Sequence, residues 1–78
     1  MINVDKFTEL LEEEFEDVQK GTLKPTTNYR EIPDFSSMHA LIIIAFVDNE
    51  FDVLLQGKDL KEAQTFDDLY TIVKNKLA

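Results

Sequence analysis

Residues 40–47, Ala-Leu-Ile-Ile-Ile-Ala-Phe-Val, form the longest apolar run of the chain and leave few folds open to it. The run is far too short to cross a bilayer, so its place is a protein core. Ile42, Ile43, Ile44 and Val47 are β-branched and would also suit a strand. The length of the segment and its Asp48-Asn49-Glu50 ending favour a helix over 37–51 instead. On that helix Ala40, Ile43, Ile44, Val47 and Phe51 share one face, expected to be the centre of the core. Met38, Ile42, Ala45, Asp48 and Asn49 fall on a different face. The sequence leaves open whether Ile42 is exposed there or buried under the preceding loop.

The approach to this helix is Pro33-Asp34-Phe35-Ser36-Ser37-Met38. Ser36 suits the N-cap, where a hydroxyl can accept from a free backbone N–H of the first turn. Ser37 then takes the first helical position with its hydroxyl free to point outward. A helix start offers unpaired N–H groups and the positive end of the macrodipole, so an anion attached at Ser37 would be well placed. On spacing alone both serines read as ordinary capping residues. His39 lies close to Ser37, but near neighbours on a helix point in different directions and no third residue is evident to orient the ring. It reads as a lone histidine on a polar face.

The remaining elements follow from periodicity. Val4, Phe7, Leu10, Leu11, Phe15 and Val18 recur at helical spacing, predicting a first helix over 4–17. Asn3 can cap it, with Ile2 packing on Phe7 as a hydrophobic staple. Glu12, Glu13, Glu16 and Asp17 read as its solvated face, and Gly21 ends the helix or lies just past its end. Residues 21–34 then form a long loop, a length unusual in so small a chain and often functional. Leu23, Tyr29 and Ile32 are its expected anchors, and Pro25 and Pro33 stiffen it. Beyond Phe51, Val53-Leu54-Leu55 reads as extended into Gly57, with a short helix over 58–63. The last helix opens at Thr65, with Asp68 completing an approximate capping box. Phe66, Leu69, Tyr70, Val73 and Leu77 form its apolar stripe; Asp67 and Asp68 early, and Lys74 and Lys76 late, match the macrodipole.

Composition narrows the functions. A chain of 78 residues is read as a single domain, residues 1–78, burying roughly 60% of its unfolded surface. A formal charge of −8 argues against nucleic acid and for partners with basic surfaces. The absence of cysteine fits a reducing cytoplasm, and residues 1–5 show no secretory signal. No catalytic set is visible: one histidine, no cysteine, no glycine-rich phosphate loop and no metal-ligand cluster. The stretch from Asp48 invites comparison with a calcium loop. Val53 and Asp59 stand where that loop needs glycine and glutamate, so no metal is expected.

Phe35-Ser36-Ser37-Met38, Glu50-Phe51, the short helix over 58–63 and Thr65 together resemble the acyl carrier protein family. The family opens its second helix with a Gly/Asp-Ser-Leu motif and ends that helix in an acidic-Phe pair. A short third helix follows, and then a threonine that opens the last. The likeness runs without a gap from Ser37 to about Val73, and more loosely back to Val4. One departure is plain, since Ser36 replaces the aspartate that usually precedes the modified serine. The resemblance implies an all-α, four-helix bundle of the acyl carrier type, with a long first loop and a short third helix. It implies a monomeric carrier rather than an enzyme, with 4'-phosphopantetheine attached covalently to Ser37 and with Ser36 and Asp34 as the flanking motif. Acyl groups would ride on the arm as thioesters in fatty-acid or polyketide-type biosynthesis. The implied partners are a phosphopantetheinyl transferase and acyl-loading, condensing and acyl-transferring enzymes, met through Met38, Ile42, Ala45, Asp48 and Asn49. Two alternatives stay open: a peptidyl (aminoacyl) carrier, and an unmodified interaction domain on the same fold, which Ser36 favours.

Overall fold

The computed structural model describes residues 2–33 and 35–77. Four α-helices run in chain order: α1 Val4–Glu13, α2 Ser37–Phe51, α3 Gly57–Glu62 and α4 Phe66–Leu77. A short 3-10 turn, Tyr29–Glu31, interrupts the loop between α1 and α2. No strand occurs among the described residues; an isolated antiparallel bridge joins Asn28 to Thr65. The chain is thus compact and all-helical, as its periodicities require.

Each helix starts where a side chain can satisfy its free amides. The Asn3 side chain accepts from Lys6 N–H at 2.8 Å, and Ile2 packs at the edge of the core. The Asp59 carboxylate accepts from Gln56 N–H at 2.8 Å at the start of α3. Thr65 and Asp68 exchange hydrogen bonds at 3.1 Å in each direction, the expected capping box of α4. α2 ends at Asp52, whose left-handed backbone (φ 55°) turns the chain out of the helix.

The core lies where α1, α2 and α4 meet. Phe7, Leu11, Ile43, Val47, Phe66, Leu69 and Val73 are fully buried there. Phe7 is its hub, 6.1 Å from the Phe46 ring, 5.9 Å from Phe51 and 5.5 Å from Tyr70. The loop anchors Leu23, Tyr29 and Ile32 are buried as expected.

Four expectations are corrected. α1 stops at Glu13 instead of reaching Asp17, because the amides of Glu14 and Phe15 turn to i−3 carbonyls at Leu11 and Glu12. Glu12 is not solvated. It is 4% exposed, and its carboxylate accepts Gly21 N–H at 2.6 Å and Leu23 N–H at 2.7 Å, clamping the long loop onto α1. Gly21 (φ 89°) lies well past the helix end, in a conformation that suits glycine. On α2, Phe46 and His39 are buried, whereas Ala40, Ile44 and Phe51 are half-buried at the core's edge. A helix apolar nearly all round does not reveal from its own sequence which face its neighbours will cover. The smaller differences lie at the ends: α3 runs one residue earlier than expected, and Leu77 is exposed.

Candidate functional site

The two serines stand at the start of α2, as their spacing predicts. Ser36 is extended (φ −141°, ψ 179°) at the N-cap, and Ser37 is the first helical residue; both are exposed. Phe35, just before them, is held by its amide on the Ile32 carbonyl at 3.0 Å and by its ring beside Tyr29. The flanking Asp34 lies outside the described residues.

His39 is the residue that sequence reasoning misplaced. It is 7% exposed, its ring stacked on Phe35 (centroids 5.5 Å apart, 29°) and set against Phe15 at 5.5 Å. Its Nδ1 lies 3.2 Å from both the amide and the Oγ of Ser36, and its Nε2 lies 3.2 Å from Asp17 Oδ2. An Nδ1 that accepts from an amide carries no proton, so Nε2–H donates to Asp17. Ser, His and Asp in a row suggest a nucleophile and its base. The one Nδ1 lone pair faces the Ser36 amide as well as its hydroxyl, however, and that makes the row a helix cap first. The signal was present in the sequence: His39 is the third residue after the N-cap, the position from which a side chain reaches back in a capping box.

An open groove runs from the serines to α3. Tyr29, Phe35, Ala40 and Leu60 give it apolar and aromatic walls, and Arg30 and Lys61 also line it. Its far wall is fixed by the loop. The Tyr29 hydroxyl reaches the Leu60 carbonyl and, at 2.7 Å, that of Ala63. Arg30 donates from Nη1 to the Ala63 carbonyl at 3.1 Å and from Nη2 to the carbonyls of Leu60 and Lys61. The C-terminal carbonyls of α3 are thereby satisfied from the 3-10 turn. Burial pushes the Tyr29 hydroxyl above its ordinary value of 10.0; Arg30 opposes the rise and Asp68 adds to it.

The face proposed for recognition is only partly polar. Met38 is 68% exposed, Ala45, Asp48 and Asn49 are exposed, and Ile42 is half-buried. Leu41, which the sequence reading left out, is 64% exposed beside them. Residues 38, 41, 42 and 45 are spaced as one helix stripe. Glu14, Glu16 and Asp17 border its lower end, sharing a second groove with Met38 and Ile42.

Among the described residues no cluster could hold a metal ion, and no helix is long and apolar enough to cross a membrane. Comparison of the chain with protein-family models, with curated proteins and with solved structures gives no match in any of the three.

Proposed function

We propose that this chain is an acyl carrier whose attachment point is Ser37. The observation that carries the reading is the position of Ser37: an exposed hydroxyl on the first residue of a 15-residue helix, at the mouth of a groove with apolar walls. The start of that helix favours the phosphodiester of a phosphopantetheine arm, and the arm's terminal thiol supplies the acylation chemistry. The chain's own part is a rigid mount. The His39 cap fixes the start of α2, and Tyr29 with Arg30 fixes the facing end of α3. An acidic surface then attracts basic partner enzymes, with Met38, Leu41 and Ala45 as apolar contacts.

Intact mass after incubation with coenzyme A and a phosphopantetheinyl transferase tests the reading. One phosphopantetheine should add to the wild type and to Ser36→Ala, and none to Ser37→Ala. Ser36→Asp, which restores the family's usual acid, should be modified faster than the wild type. A mass that never shifts with several transferases sinks the carrier reading. It would favour the unmodified interaction domain, which the exposed Met38 and Leu41 and the engagement of Ser36 by His39 also support.

A further inference from the structure

The groove beside Ser37 differs in charge from the rest of the molecule. The chain carries 16 acids against 8 bases, yet among the described residues no acid lines this groove, while Arg30 and Lys61 do. Arg30 is only partly committed: three of its five N–H donors hold carbonyls at the end of α3 and at Ala63 just past it, leaving two. The Lys61 ammonium has no carboxylate within ion-pair distance among the described residues. Tyr29, Phe35 and Leu60 line the same groove and give it apolar and aromatic surface. A net charge of −8 repels anions at long range, so two cations beside an apolar channel form a local exception to the protein's field.

We infer that the groove takes an apolar chain bearing an anion. On the carrier reading of Ser37, on which this rests, the cargo is an acyl group with a second carboxylate. Its chain lies along Tyr29, Phe35 and Leu60, and its carboxylate meets Arg30 and Lys61. A plain fatty acyl group would leave both cations unused.

Two arms test this separately from the carrier reading. In the first, the protein is loaded at Ser37 with hexanoyl or adipoyl phosphopantetheine, chains of equal length that differ by one terminal carboxylate. The adipoyl form should melt higher and move the amide resonances of Arg30, Phe35 and Leu60 further. The difference should shrink in Lys61→Gln, reverse in Lys61→Glu and fade in high salt. Arg30→Lys, which keeps the charge but gives up the fork on α3, should preserve the sign. Equal melting and shifts for the two loaded forms overturn the proposal. So does an effect of Lys61→Gln already complete in the form with the arm but no acyl group, since the cations would then serve the arm's phosphate. In the second arm the unmodified protein is titrated with octanoate and with octanol. Octanoate should bind more tightly by roughly two- to five-fold, the range of an exposed ion pair, and Lys61→Glu should abolish the preference. Octanol binding as well as octanoate overturns the anion site. If no transferase modifies Ser37, the carrier reading fails alone and this second arm still decides the groove.

Discussion

α2 and α4 begin with the same device made from different materials. In each, the third residue after the N-cap reaches back to the N-cap amide: His39 to Ser36 at 3.2 Å, Asp68 to Thr65 at 3.1 Å. Asp68 is exposed and also takes the Gln64 amide at 3.0 Å, so the hydrogen bonds of its side chain stay within its own turn. His39 is buried between Phe15 and Phe35 and bonded to Asp17, so its cap also ties α2 to the segment after α1. A solvated cap stabilises one helix end, whereas a buried cap also fixes the position of that end in the fold. The candidate attachment serine stands on the second kind.

The largest expected effect comes from removing the buried cap. His39→Ala should lose about 2–4 kcal/mol, from the vacated ring and the unpaired Ser36 amide together. Urea denaturation measures it, and a loss below about 1 kcal/mol would place His39 with the local caps. His39→Phe keeps an aromatic ring in the stack and removes both ring nitrogens, so the hydrogen bonds to Ser36 and Asp17 are lost together, at about 1 kcal/mol. Thr65→Ala at the solvated cap should also cost about 1 kcal/mol and leave the environment of Ser37, read by its amide resonance, unchanged.

Acid should distinguish the two starts further. The Gln64 and Thr65 amides hold the Asp68 carboxyl below its ordinary value of 3.8. A carboxyl with a lowered folded pKa contributes stability that is present above its unfolded value and lost as pH falls through the folded one. The stability gap between wild type and Asp68→Asn should therefore hold from neutral pH down to the ordinary carboxyl value of 3.8 and narrow progressively below it. A gap independent of pH would mean that the charge of Asp68 contributes nothing. The smallest effect belongs to Asp17→Asn. Its side chain is 55% exposed, so losing the bond to His39 should cost only a few tenths of a kcal/mol in the same denaturation assay.

Much of this was legible in the chain. The bounds of α2, the Thr65–Asp68 box and the anchors Leu23, Tyr29 and Ile32 each follow from residue type at a fixed spacing, and the structure agrees. These are local matters, settled by amides and side chains a few residues apart. The position of Ser37 at a helix start belongs with them.

The burial of Glu12 and His39 was not legible. Both look like surface residues until the loop of 21–23 folds back onto α1 and brings two amides to a carboxylate, or until Phe15 and Phe35 close over a ring. The choice of Phe46 over Ile44 as a core residue of α2 is of the same kind, since it depends on where the Phe7 ring sits. The groove next to Ser37 also needed the fold, because Arg30 and Lys61 come together only when the 3-10 turn takes hold of the end of α3. Sequence by itself determined that four helices form, the caps at Asn3 and at Thr65 with Asp68, and the serine at the start of α2, through interactions within one or two turns. Tertiary structure decided which polar groups are buried and which charges meet, because burial and long-range pairing depend on what other segments bring against a residue.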